Sequence, residues 1–494
     1  MNLGPEVILS RRKLGLTRRD CLKALAGSAV FAPALLSGSR AVAPDTPLPS
    51  LPDLAEAEAL LLTPKDKHFA LYEAAFNRRT IVRPRLRALC KTQSAVSAMI
   101  EWLRCNHIPF ALRSGGHCFE GLSQSDSVVV DTRLMSAIDI DTATETVTTG
   151  PGASLGALYD AVGVRGYALS AGNCTTVGVA GHVLGGGSGY LSRQFGFLCD
   201  SLQLIECIDA NGRLVVADDE QNADLFWACR GGGGGCFGVA TRFRFRLFPL
   251  RKVVVFTMEW SLPPAQALTM VKAWQAWAPE APEAITSTLT IAPDPNRHIW
   301  IECAGQSVGS EDQLRRELRG LLKLIRTHAN PTIKPISFLE AVDYFSEGWS
   351  YQSIYYKGKS DILSTPLSDD GIAVLFEGLQ NLPEDEFNVV LYAYGGAVAR
   401  VSPSATAVPH RKAWGSMQYN LTWNSPNETP TQLSQLRRLY ASMRPHVSGG
   451  AYVNYCDSEL QNWREAYWGH NLSRLKTIKS RLDPDDLFRH AQSV

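Results

Sequence analysis

Between Thr80 and Pro249, short apolar runs of β character alternate with stretches of helical spacing. Apolar positions recur every three or four residues through 94–105 and 154–162, which predicts two helices with one buried face each. The runs at 109–113, 127–131 and 147–150 are too short for helices and read as strands. At 242–250 Arg alternates with Phe and Leu, the pattern of a strand with one wet face. This alternation predicts an α/β or α+β unit whose ligand lies in the loops. Beyond Pro249 the texture changes. Residues 253–260, 286–292, 299–304, 389–394 and 416–423 read as strands, and 266–277, 310–327 and 430–443 as covering helices. That is the signature of a separate antiparallel sheet with helices on one face.

The length of 494 residues exceeds what one core ordinarily serves, so two domains are expected. A net charge of +1 gives no electrostatic reason to bind nucleic acid. The 11 cysteines form no CxxC pair and no Cys/His spacing for zinc, so no metal site is expected. Thr17-Arg18-Arg19-Asp20 precedes an apolar run at 24–36, and Ala41-Val42-Ala43 resembles a cleavage site. Residues 1–43 thus read as a twin-arginine export signal to a periplasmic or secreted location. The apolar run is too short to span a bilayer, and no membrane anchor is expected. Residues 44–78 read as a lead-in or linker.

Much of the glycine, 40 residues in all, falls between Gly115 and Gly238. Arg113-Ser114-Gly115-Gly116-His117 follows a strand and leads into Gly121-Leu122-Ser123. A second set runs Gly178-Val179-Ala180-Gly181-His182, then Gly185, Gly186, Gly187 and Gly189. A third is Arg230 with Gly231 to Gly235, then Phe237-Gly238. Glycine turns beside strands let backbone N–H groups converge on phosphate, and three such loops predict a long phosphate-bearing cofactor. Gly150-Pro151-Gly152 mimics a dinucleotide fingerprint, but Pro151 removes a donor where pyrophosphate needs one.

His117 closing Arg-Ser-Gly-Gly-His, and Cys174 in Asn173-Cys174-Thr175-Thr176-Val177-Gly178, resemble the berberine bridge enzyme-like flavoproteins of the vanillyl-alcohol oxidase superfamily. The resemblance continues through Asp224-Leu225-Phe226-Trp227, Tyr452-Val453-Asn454-Tyr455-Cys456-Asp457 and Tyr467-Trp468-Gly469-His470-Asn471. It implies FAD bonded to His117 and Cys174, with contacts extending to Gly238, Val239 and Asn454. The implied fold is α+β: an FAD-binding domain at 79–250, a substrate domain at 251–447 and a segment at 448–494 returning to the first. Two covalent links would hold the ring rigidly and raise its potential for hydride acceptance.

The same resemblance implies that the base for a substrate hydroxyl is a tyrosine of the C-terminal segment: Tyr455 first, with Tyr452 as local rival. Ordinary phenol titrates near a pKa of about 10 and needs help to act as a base. Tyr392 and Tyr394, two apart on a predicted strand, share a face, and either can partner Tyr455. Gln418 stands where alkaloid-processing members of the family carry a glutamate base, which weighs towards alcohol or sugar oxidation. Asn420 and Trp423 are candidate polar and stacking contacts. Val177 holds the position that resembles the family's oxygen gate, where a small side chain implies oxidase rather than dehydrogenase behaviour. The expected partners are a small hydroxylated substrate and O2, in a chain favoured to be a monomer. Rival readings are a tailoring enzyme of secondary metabolites, a dehydrogenase, or a flavin-loaded binding protein without turnover.

Overall fold

The computed structural model describes residues 48–325, 331–346, 353–383 and 386–494. The expected export signal lies outside the described residues. The fold is α+β, as expected, and its sheets divide the work of holding a ligand.

A four-stranded sheet runs in the order Ala59–Leu62, Leu86–Cys90, Val128–Asp131, Phe110–Arg113. Its last three strands are parallel, and Ala59–Leu62 adds antiparallel to the edge. That edge strand falls within the 44–78 stretch, where four residues are too few to reveal a period. Helix Gln93–Cys105 makes the crossover, and Thr92 caps it by accepting the Ala95 N–H at 3.1 Å. Val96, Met99, Ile100 and Leu103 form its fully buried stripe. At the carboxyl end of this sheet, buried Asp131 accepts from Arg87 at 3.1 Å and Arg133 at 2.8 Å, with Arg113 at 3.7 Å. The strand that delivers His117 is therefore anchored by charge as well as by its ladder.

A five-stranded antiparallel sheet follows, in the order Ile138–Asp141, Thr146–Thr149, Val239–Arg246, Leu202–Ile208, Leu214–Ala217. Phe243 and Phe245 are buried while the arginines between them are exposed, which is the wet-face alternation read from the sequence.

The third large sheet has seven antiparallel strands, and from its third strand to its far edge it runs His298–Ser307, Ile285–Asp294, Phe387–Ala393, Gly415–Trp423, Tyr355–Leu363. Leu289, Ile291, Val389, Leu391, Met417 and Leu421 point to one face and pack against helices Pro264–Trp277, Glu311–Ile325, Asp369–Leu379 and Thr429–Met443. Because side chains alternate along a strand, the other face carries Thr288, Thr290, Glu302, Tyr392, Gln418 and Asn420. The register sets Thr290 opposite Glu302, Thr288 opposite Tyr392, and Val390 opposite Gln418. The Tyr355–Leu363 strand escaped the sequence reading because Lys357, Lys359 and Asp361 interrupt its apolar pattern. All three are buried and paired: Lys357 with Glu120 and Asp457, Lys359 with Asp457, and Asp361 with Arg444.

The chain from Ala451 onward packs back on the glycine-rich half through Trp468, Leu472, Leu475 and Ile478. Lys479 is buried there and donates to the carbonyls of Cys236 at 2.9 Å and Phe488 at 2.6 Å.

Candidate active site

One long cavity runs between these parts. Its walls come from the loop after Phe110–Arg113, from 177–184, from the glycines at 233–235, and from the C-terminal residues 453–456 and 488–492. Gly115 and Gly178 touch backbone to backbone, so that a Cβ on Gly178 would lie 2.6 Å from Gly115 N. At Gly181, by contrast, a Cβ would meet nothing within 4 Å, and one on Gly234 would meet only Gly181 Cα, at 3.9 Å. Two glycine loops thus face each other across free space, a backbone-lined slot of the kind that accepts pyrophosphate. This polar slot and the aromatic end near His117 together fit FAD.

At the aromatic end, the His117 ring stacks on Phe76 with centroids 5.0 Å apart and planes 20° apart. Its Nε2 lies 3.0 Å from Thr176 Oγ1, and the Cys174 thiol lies 3.4 Å from the same hydroxyl. Burial, helped by the Arg113 charge, pulls the His117 pKa down to about 4. At neutral pH the imidazole is uncharged and keeps a nucleophilic lone pair. His117 and Val177 line the cavity, whereas Cys174 lies off its wall and joins the site through Thr176, which also touches His117.

Tyr455 closes the cavity at this end, stacked on Phe119 with planes 9° apart and set edge-on to Tyr452. Its hydroxyl neighbours that of Tyr392, and Tyr392 donates to Gln418 Oε1 at 3.1 Å. Gln418 Nε2 donates to Tyr356 Oη at 3.3 Å, Tyr356 donates to Asn420 Oδ1 at 2.7 Å, and Asn420 Nδ2 donates to Asn388 Oδ1 at 3.0 Å. From Tyr392 onward, every donor in this chain points away from Tyr455. Burial, with Tyr392 and Tyr452 nearby, holds the Tyr455 pKa well above the usual phenol value. A Tyr455 phenolate is therefore costly in the protein by itself.

The other predicted residues separate by place. Arg113, Ser114, Gly115, Gly116, Leu122, Ser123, Gly178, Gly181, His182, Gly238, Val239 and Asn454 line the cavity. Gly121, Gly185, Gly187 and Gly189 do not. A Cβ on Gly185 would strike the Asn454 amide and one on Gly189 would strike the Ala171 carbonyl, so close packing demands those glycines. Tyr452 accepts the N–H of Gly187 and the Asn454 amide, both at 2.9 Å, and is buried as a strut between loops. The strand ends at Ala393, so the alternation does not extend to Tyr394, whose ring packs edge-on against Phe197. Trp423 belongs to the apolar face, among the helices.

The sequence reading passed over three features. Tyr356 lies on the unrecognised strand. The tail residues Phe488, Arg489, His490 and Gln492 line the cavity without any motif of their own. Glu302 sits on the polar face beside Thr290, and burial, with Glu259 nearby, raises its pKa to about 7. A charged residue within an apolar strand was the signal available for it. Tyr190, within electrostatic reach of Glu302, bonds the Thr288 hydroxyl at 3.2 Å.

Comparison with known proteins agrees with this geometry. A family model described as an FAD binding domain matches residues 84–218, and one described as berberine and berberine like matches 451–494. The Bacillus subtilis (strain 168) protein named Uncharacterized FAD-linked oxidoreductase YgaK is 33% identical over 420 residues, covering 83% of this chain and 91% of its own. Berberine bridge enzyme-like D-1 of Nicotiana tabacum is 31% identical over 445 residues, 78% of each chain. The solved structure of wild-type BBE-like 1 from Physcomitrella patens matches with a TM-score of 0.83 at 27% identity, covering 88% of this chain and 96% of that one. With its cavity shaped for FAD and its C-terminal segment folded over that cavity, the chain belongs to the berberine bridge enzyme-like family of FAD-linked oxidoreductases.

Proposed function

We propose that this enzyme oxidises an alcohol carbon of a sugar or related hydroxylated small molecule, with FAD bonded covalently to both His117 and Cys174. When bound, the flavin would supply a two-electron acceptor for the carbinol hydride, with dioxygen as the final acceptor and hydrogen peroxide as its product. The observation that carries the reading is Tyr455, which lines the cavity at its His117 end and is backed by the largely buried polar relay Tyr392–Gln418–Tyr356–Asn420. A wall of phenols and amides suits a substrate rich in hydroxyls, because each can donate or accept.

There Tyr455 accepts the hydrogen bond of the reacting hydroxyl, because Tyr392 beside it gives its own proton to Gln418 and leaves an oxygen to take that of Tyr455. That bond orients the carbinol and shields it from water. Neutral His117 keeps the lone pair that a carbon–nitrogen bond requires, and Thr176 fixes both attachment side chains through one hydroxyl. Val177, lining the cavity beside them, leaves room for dioxygen. The Arg18-Arg19 segment supports export by the twin-arginine route, which suits a cofactor that cannot diffuse away.

The test is anaerobic bleaching of the flavin absorbance against mono- and oligosaccharides, glycosides and aromatic alcohols. Bleaching by one carbohydrate class, reversed by air, supports the reading. Bleaching only by aromatic alcohols transfers the site to secondary metabolites. A failure of air to restore the colour makes the enzyme a dehydrogenase.

A further inference from the structure

Two cysteines outside the chemistry above meet at the same end of the cavity. Cys118 follows His117 directly, Cys456 follows Tyr455 directly, and their sulfurs lie 3.7 Å apart. Both line the cavity. Their approach is fixed by the chain on either side: Lys357 Nζ bonds Glu120 at 2.7 Å and Asp457 at 2.5 Å, clamping the two loops together one or two residues beyond the sulfurs. Ser458 also donates to Glu120, at 2.5 Å. The Leu122 N–H points at Cys118 Sγ at 3.2 Å, a donor that stabilises a thiolate there.

We infer that Cys118 and Cys456 are a dithiol that hydrogen peroxide closes into a disulfide, tying the His117 loop to the Tyr455 loop. The Cys118 thiolate attacks one peroxide oxygen; the O–O bond breaks, hydroxide leaves, and Cys118 becomes a sulfenic acid. The Cys456 sulfur then attacks the Cys118 sulfur, the S–O bond breaks and water leaves. In sum, two thiols and one hydrogen peroxide give one disulfide and two waters, with the two electrons passing from sulfur to oxygen. The order follows from access: Cys118 is partly exposed and Cys456 is buried. The hydrogen bond shared with Cys456 also holds the Cys118 thiol below its usual range.

In the test, holoenzyme reduced with dithiothreitol and desalted is treated with hydrogen peroxide and alkylated. It is then digested without reductant and mapped by mass spectrometry. The expected result is loss of two alkylatable thiols, a cross-linked peptide pair containing Cys118 and Cys456, and recovery of both thiols with dithiothreitol. In Cys456→Ser, Cys118 is expected to stop at a sulfenic acid that dimedone traps. The inference is overturned if wild-type Cys118 and Cys456 both stay alkylatable after peroxide, or if Cys118 passes to sulfinic acid without the cross-link. The wild-type map decides the matter even where the variant does not fold.

Discussion

Tyr392 gives a hydrogen bond to Gln418 Oε1 at 3.1 Å, so the phenol beside Tyr455 is oriented by the Gly415–Trp423 strand next to its own. Replacing Gln418 by Ala removes the acceptor that fixes the Tyr392 proton. A lost neutral hydrogen bond is worth about 1 kcal/mol, so the rate of anaerobic flavin reduction is expected to fall roughly fivefold to tenfold. Flavin content should not change, because Gln418 is remote from the glycine loops. An unchanged reduction rate would detach the relay from the chemistry.

Two groups on the polar side of the site titrate differently, and the pH profile tells them apart. Glu302, raised to about 7, is protonated below that pH and ionised above it. If its carboxylate is the proton acceptor, kcat/KM rises through pH 7 and levels off. Tyr455 is held well above the ordinary phenol value, so if its phenolate is the acceptor, the rate climbs on past pH 9. Tyr455→Phe is expected to slow reduction by about 10²–10⁴, the span of general-base catalysis. Tyr452→Phe should mainly cost stability, since it strips the partner from the buried Gly187 N–H and one partner from the Asn454 amide.

His117→Ala should leave flavin attached through Cys174 alone, in a slower enzyme. Thr176→Val tests the shared hydroxyl: attachment at both positions should become incomplete, because both side chains lose the hydroxyl they share. Peptide masses after proteolysis check both variants. Two covalent links persisting in His117→Ala would disprove the assignment.

Asp131 neutralises a buried arginine cluster. Asp131→Ala leaves Arg87 with its charge buried and unmatched by this carboxylate, and is expected to destabilise the protein by about 3–5 kcal/mol. Thermal unfolding followed by circular dichroism measures this. Because Asp131 also lies 3.7 Å from Arg113, flavin incorporation should fall along with stability.

Local physics fixed much of this protein in advance. The helices at Gln93–Cys105 and Leu155–Gly163 were readable because their caps, Thr92 and Ser154, and their apolar stripes are short-range features. The glycine loops were readable because backbone convergence on phosphate has a sequence signature, and His117 because its motif resembles that of a known family. Tertiary structure alone decided the rest. Tyr355–Leu363 became a strand because Glu120, Asp457 and Arg444, distant in sequence, neutralise its lysines and aspartate. Tyr392 parted from Tyr394 because the strand stops at Ala393. Cys118 met Cys456 across 338 positions because the C-terminal segment folds back over the cavity. Periodicity records which face of an element is dry, but the partner of a buried charge, phenol or thiol is set by which elements pack against it.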